Sequence, residues 1–177
     1  RHPQLTRLPA AQVTRRLMPN AGRTRSFGGE ASLLATLWRN LDLQVAYGYT
    51  RATFVKFDTG KADYAGNFIP YAPQHTLYAG ASYTLRTGWN CLEYVIFRVA
   101  ANGAGRIYWN EANTFSQPFY ALLEASIRFE HRHWAVDVWG RNLTDTRYDT
   151  FYFMSIGNSF LQRGRPRTFG VSLSITL

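Results

Sequence analysis

A chain of 177 residues is long enough for one domain with a large apolar surface to place. Hydrophobic residues make up 46% of it, yet no run nears the roughly 18 apolar residues of a membrane-crossing helix, so helical spans are excluded. The net charge of +9 is carried by arginines scattered singly apart from Arg15-Arg16, which excludes a basic helix of the nucleic-acid-binding kind; the lone Cys91 supports neither a disulfide nor a zinc site.

In chain order, "RHPQLTRLPA" lacks the apolar core of a signal peptide, and its residues 3–8 read as a partial strand. Long strands are then expected at 22–38 and 41–56, split by a short polar break at Arg39-Asn40. In the second, Leu41, Leu43, Val45, Tyr47 and Tyr49 alternate with Asp42, Gln44, Ala46, Gly48 and Thr50. A long irregular segment at 57–71 leads to a strand at 72–86, where Leu77, Ala79, Ala81, Tyr83 and Leu85 share one face. The break Thr87-Gly88-Trp89-Asn90 precedes a strand at 91–106, and a second irregular segment covers 106–117. Residues 118–130 set Phe119, Ala121, Leu123, Ala125, Ile127 and Phe129 against Glu124, Ser126 and Arg128. After His131-Arg132 a strand is expected over 133–149, then a third irregular segment at 150–163. The chain closes on 164–177, with Phe169, Val171, Leu173, Ile175 and Leu177 alternating with small polar residues.

A repeat of two over these lengths means strands with one apolar face. Short and long connections alternate strictly, so an antiparallel meander collects short turns at one end and long loops at the other, as in outer-membrane barrels. The strands exceed the five or six residues usual in soluble sheets. Their apolar face is free of charge, while Glu30, Asp42, Glu124, Arg128, Asp137 and Arg141 share the other. Inward arginines (Arg98, Arg128, Arg141) are expected to line a barrel interior and pair with Glu30, Glu124, Asp137 or with acidic residues of a plug.

Against that background, segments along the chain resemble TonB-dependent outer-membrane receptors. They are "NAGRTRSFGGEASL" (20–33), "PYAPQHTLYAGASY" (70–83), "GRNLTDTRYDTFY" (140–152) and "GRPRTFGVSLSITL" (164–177). The third departs from the family in Thr144, where an aromatic is usual, and the last in ending on Leu177 rather than Phe. The resemblance implies an all-β fold: an antiparallel up-and-down transmembrane β-barrel meander, about the last 7 strands of a 22-stranded barrel. Residues 1–177 would then form the C-terminal portion of one barrel domain, without the family's plug domain or a signal peptide. It further implies a bacterial outer-membrane location and import of a ferric siderophore, haem or cobalamin, energised by TonB. Implied partners are outer-membrane lipid and lipopolysaccharide, the rest of the barrel and its plug, and a small anionic or iron-containing ligand; nucleic acid is not among them.

Ligand contact is expected in the long segments, at Tyr64 and Tyr71, at Arg106, Tyr108 and Trp109, and at Tyr152, Phe153 and Arg163. Large amphipathic rings beside guanidinium groups suit a flat, anionic chelate. No catalytic constellation, cofactor or metal site is expected; His131 and His133 flank a short turn, and Asp137, inward along the next strand, does not complete a ligand set with them. In this reading residues 140–149 finish a strand, with Arg141 inward and the aromatics beyond it passing through the membrane interface. Two other architectures fit the length: a self-contained eight-stranded outer-membrane barrel, with "QLTRL" as its first strand, and a soluble β-sandwich binding module.

Overall fold

The structure, a computed structural model, describes residues 22–176; the partial strand expected at 3–8 lies outside them. One antiparallel sheet dominates. Its strands are β1 (Arg23–Trp38), β2 (Leu41–Lys56), β3 (His75–Trp89), β4 (Leu92–Gly105), β7 (Tyr120–His131), β8 (Trp134–Arg141) and β11 (Thr168–Ile175), each paired to the next in that order. The remaining strands lie in the connections: β5 (Ile107–Tyr108) pairs with β6 (Ser116–Gln117), and β9 (Asp149–Ser155) with β10 (Asn158–Arg163).

Register explains why the apolar pattern takes this form. One row runs Ala35, Leu43, Ala81, Val99, Ala125, Gly140, Phe169 across all of the main sheet. The next row, one residue along, runs Thr36, Asp42, Ser82, Arg98, Ser126, Trp139, Gly170. A slip of one residue would mix the two faces, so the alternation holds the pairing in place.

The apolar face is uncovered. Leu33, Val45, Phe97, Val138, Val171 and Leu173 are among its exposed side chains, and no large side chain among the described residues is fully buried. A β-sandwich would turn such a face inward against a second sheet. Among the described residues no second sheet covers it, unlike the arrangement the soluble-sandwich reading requires. Lipid is the solvent that accepts a continuous apolar band on an antiparallel sheet.

The short turns lie at 39–40, 90–91 and 132–133, and the long connections at 57–74, 106–119 and 142–167, on opposite ends of the sheet. The strands expected from 72 and from 164 begin later, at His75 and Thr168, and further differences have a local cause. The break at 87–90 does not end β3: Gly88 takes a positive φ of 75° and the register shifts between Arg86 and Trp89. Thr87 stitches this bulge, its Oγ1 donating to the Leu92 carbonyl and accepting the Trp89 N–H at 3.1 Å. The larger difference is in the strand expected over 133–149. It stops at Arg141, because Asn142 turns into the left-handed region (φ 50°) and Asp145 follows (φ 52°). The expected irregular segment 150–163 is instead the β9–β10 hairpin, turned by Ile156-Gly157.

One close approach ties that hairpin down. Gly164 donates its N–H to the Tyr148 carbonyl at 2.8 Å, and the Tyr148 ring occupies the space a Cβ at 164 would need. Tyr148 in turn stacks on Tyr120 of β7 at 4.5 Å. Gly164→Val should therefore displace the ring and cost about 1–3 kcal/mol, the usual range for overpacking a tight site. The denaturant midpoint of the folded barrel in detergent reports it, and Tyr148→Ala in the same chain should recover most of the strain.

Candidate functional site

Two surfaces carry chemistry: the polar face of the sheet and the loop cluster at one end of it.

The polar face is concave and encloses about 460 Å³ lined by Asp42, Gln44, Arg98, Glu124, Asp137 and Arg141. Its groups are held by short local bonds. Thr36 Oγ1 donates to Asp42 Oδ1 at 2.7 Å, and Asn102 Nδ2 donates to Glu124 Oε1 at 3.2 Å. Trp139 Nε1 donates to Ser172 Oγ at 3.2 Å, with the Arg141 guanidinium 4.8 Å from its ring centroid. The expected pairing of arginines with Glu30, Glu124 or Asp137 does not form. Among the described residues the single ion pair is Arg128–Glu130, at 2.8 Å, on one strand. Arg128 reaches along β7 to Glu130 although Asp137 is its direct neighbour on β8, and Asp137 Oδ1 is left buried without a partner. An orphaned carboxylate oxygen is costly unless a donor from outside reaches it.

The loop cluster is built by asparagines. Asn113, at φ 55°, clamps the Phe68 backbone, accepting its N–H at 2.7 Å and donating to its carbonyl at 2.9 Å. Asn67 donates to the Glu111 carbonyl at 2.8 Å, and the Tyr71 N–H to the Tyr108 carbonyl at 2.8 Å. The connections 57–74 and 106–119 thus close on each other. Asn142, only 4% exposed, does the same for the third connection. Its Nδ2 donates to the Thr146 and Arg165 carbonyls at 3.0 and 3.1 Å, while its Oδ1 accepts the Thr146 N–H at 2.8 Å. Asparagine suits these positions because its short amide both tolerates positive φ and mimics a backbone partner.

The aromatic rings converge where these connections meet. Tyr71 lies 5.4 Å from Trp109 and 5.6 Å from Phe151, and its hydroxyl donates to the Tyr152 carbonyl at 2.7 Å. Phe151 continues to Phe153 at 5.6 Å, and Phe153 stacks on Phe160 at 4.9 Å. Trp109 (7% exposed) and Tyr152 (6%) pack the base of this ladder, Tyr152 against Phe115 at 4.7 Å. Tyr71, Phe151, Phe153 and Phe160 present free ring surface. Burial, with the Glu111 carboxylate adding to it, holds the Tyr71 phenol above its ordinary pKa.

Of the residues expected to meet ligand, Tyr71, Trp109, Tyr152 and Phe153 are brought together, and Tyr108 joins them through its carbonyl, which accepts the Tyr71 N–H at 2.8 Å, while its ring stacks on Phe68 at 5.4 Å. Tyr64 stays apart, packed on Phe57 of its own connection. Arg106 and Arg163 lie exposed without reaching a ring, whereas Arg51 of β2 lies 6.0 Å from the centroid of Phe68 in the first long connection. Sequence reasoning passed over Asn113, inside the β5–β6 connection, and Asn142, whose signal was an asparagine directly after a strand end. The His131 and His133 rings are 5.9 Å apart, and among the described residues no three His, Cys, Asp or Glu gather as metal ligands.

An open sheet with an apolar outer face, a polar concave face and long loops gathered at one end defines a section of a transmembrane β-barrel. A model of the TonB-dependent receptor-like β-barrel matches residues 4–143, and the chain belongs to that family. Its members are receptors and transporters of the outer membrane, not enzymes. Among curated proteins, the chain is 25% identical to the pesticin receptor of Yersinia pestis over 98% of its length, and similarly to that of Yersinia enterocolitica. Among solved structures, it superposes on the ferric yersiniabactin uptake receptor FyuA of Yersinia pestis with a TM-score of 0.77 at 23% identity, over 88% of this chain and 24% of that one. The ferric preacinetobactin receptor BauA of Acinetobacter baumannii gives 0.66 at 22% identity, over 86% of this chain and 22% of that one. These likenesses establish the fold. The chain spans about a quarter of the length of the curated relatives it matches, 25% in each.

Proposed function

We propose that this chain is the C-terminal portion of a larger outer-membrane barrel, about the last third of some 22 strands, in a receptor that imports a ferric siderophore. The single observation that carries this reading is the aromatic ladder Tyr71–Phe151–Phe153–Phe160, built from separate connections at the loop end of a membrane-type sheet. A rigid run of exposed rings binds a flat or ring-bearing chelate with little loss of side-chain entropy. The match of relatives named for siderophore uptake supports the same substrate class over haem or cobalamin. The open polar face beneath, with Arg98, Arg141 and the unpartnered Asp137, suits a plug domain seated inside the barrel. Energy from TonB would reach the ligand through that plug; this segment supplies binding surface and wall. Both edges of the described sheet, β1 and β11, then pair with further strands of the barrel, since open edges are not tolerated in lipid.

The test is uptake of ⁵⁵Fe by an iron-starved strain whose only receptor is the intact protein. Saturable, TonB-dependent uptake of one of a panel of ferric phenolate, catecholate and hydroxamate chelates is expected. Uptake of none of them, with the protein folded in the outer membrane, would overturn the substrate class. Purification as a soluble protein without detergent would overturn the membrane reading itself.

A further inference from the structure

The short-turn end of the sheet carries two of the chain's four histidines, outside the polar cavity and opposite the loop cluster. His131 ends β7 and His133 sits in the turn to β8, with Arg132 between them. His133 is exposed and His131 half-buried. Their ring centroids lie 5.9 Å apart at an interplanar angle of 54°. Two imidazoles that each give one nitrogen to a shared tetrahedral ion, at about 2.1 Å, put their centroids about 5–6 Å apart. The two rings already stand at the spacing of a chelating pair. Local structure keeps them near it. Trp134, the register partner of His131, stacks on that ring at 5.9 Å and 28° and limits its swing. The turn holds only Arg132 and His133, so the backbone keeps the two histidines close. The His133 N–H donates to His131 Nδ1 at 3.4 Å. That bond is longer than the usual range of about 2.7–3.2 Å, so a metal displaces it at little cost.

A third donor comes from the neighbouring strand. Tyr94 of β4 faces Glu130 of β7, so Glu93 and His131 are each one step further toward the same end of the sheet. Side chains facing each other across a ladder have Cβ atoms about 4.5–5.5 Å apart, within reach of a glutamate. The Glu93 carboxylate is exposed and in no ion pair, since the single one among the described residues is Arg128–Glu130. The three donors are not gathered as the side chains stand, and bringing them together takes rotation of Glu93 about its own side-chain bonds. Cys91 is exposed in the turn before β4, two residues beyond Glu93, and its thiol is not needed for a set of two nitrogens and one oxygen.

Donor type decides the ion. Imidazole nitrogens with one carboxylate suit borderline transition metals, whereas Mg²⁺ and Ca²⁺ want oxygen ligands alone. Among the divalent ions of the first transition row, such a set holds Cu²⁺ most tightly. We propose that His131 and His133 chelate one borderline divalent transition-metal ion, Cu²⁺ in preference to Zn²⁺, with Glu93 as third ligand and water completing the shell. An ion held there ties β4 to the β7–β8 turn, joining two neighbouring hairpins at their short-turn end. The site is at the opposite end of the sheet from the aromatic ladder, so it is separate from any imported chelate and independent of which one that is.

The test titrates Cu²⁺ into the intact protein, purified in mild detergent and stripped of metal, and reads the bound ion by electron paramagnetic resonance. The wild type should bind one tight Cu²⁺ whose spectrum carries couplings from two imidazole nitrogens. His131→Ala and His133→Ala should each weaken binding by about 100-fold, because a chelate becomes a single ligand. Glu93→Gln should weaken it less than either, and Cys91→Ser should leave it unchanged. Arg132→Ala removes a like charge beside the ion and should tighten binding. If an alanine variant loses heat-modifiable folding, His133→Gln, in the exposed turn, carries the same expectation. A spectrum with one imidazole nitrogen or none would overturn the site. So would equal Cu²⁺ affinity in the wild type and in folded variants lacking either histidine. A loss in Cys91→Ser as large as in the histidine variants would put the ion on the thiol and overturn the proposed ligand set.

Discussion

Replacing Asn142 by alanine is expected to lower the stability of the folded barrel by about 4 kcal/mol, from three lost bonds worth about 1 kcal/mol each and about 1 kcal/mol of backbone strain. The side chain is buried, and alanine leaves the Thr146 and Arg165 carbonyls and the Thr146 N–H without their partners. Part of the loss is conformational, since Asn142 sits at φ 50°, where alanine is strained by about 1 kcal/mol. The two causes separate cleanly. Asn142→Gly relieves the backbone but restores no hydrogen bond, so it should recover about 1 kcal/mol and no more. Asn142→Asp keeps the acceptor for the Thr146 N–H and loses both donations, and should fall between wild type and alanine. Urea midpoints in detergent, read by the shift between folded and unfolded gel mobility, give all three values. An alanine variant within about 0.5 kcal/mol of wild type, the usual surface range, would mean the turn is held by something else.

The second large effect concerns the loop cluster. If it binds the imported chelate, Tyr71→Ala should weaken ligand binding by about 30-fold or more, the 2 kcal/mol scale of a central aromatic contact. Tyr71 is where the connections meet: its ring lies between Trp109 and Phe151, and its hydroxyl holds the Tyr152 backbone. Tyr71→Phe keeps both ring contacts and loses one hydrogen bond, so a few-fold loss is expected. Tyr64→Ala, remote from the ladder, should change affinity little. Equilibrium titration of the purified receptor with its ferric chelate distinguishes these. Equal losses at Tyr71 and Tyr64 would show that the ladder is not the contact surface.

Much of the architecture was legible because strand patterning is local. Leu41 to Thr50 alternate without a break, and β2 begins at Leu41 and ends at Lys56 as the residues indicate. The apolar sets on 77–85 and 119–129 fall on the same face of the sheet, as register confirms. Boundaries marked by polar residues were less secure. The cluster Arg141-Asn142-Leu143-Thr144-Asp145 reads equally as a strand leaving the membrane or as a turn. The outcome depended on Asn142 finding the Arg165 carbonyl, a partner 23 residues away. Likewise "FYFMSIGNSFLQR" shows no turn signal stronger than Gly157, yet Phe153 opposite Phe160 makes it a hairpin. Of the ligand-facing residues, the sequence indicated which connections are aromatic but not which rings meet. Tyr64 and Tyr71 look alike in composition, and only Tyr71 reaches across to Tyr152, 81 residues on.

By itself the amino-acid sequence determined a period of two, a charge-free face, long strands and an alternation of short and long connections. Each is set by side-chain direction along a pleated backbone, which repeats every second residue whatever lies nearby. Tertiary structure alone decided where β8 stops, that Asp137 is left without a partner while Arg128 turns to Glu130, and which rings form one ladder. It also decided that Glu93 leads to the same end of the sheet as His131. These depend on register between strands and on loops closing over it, distances in space that chain order does not contain.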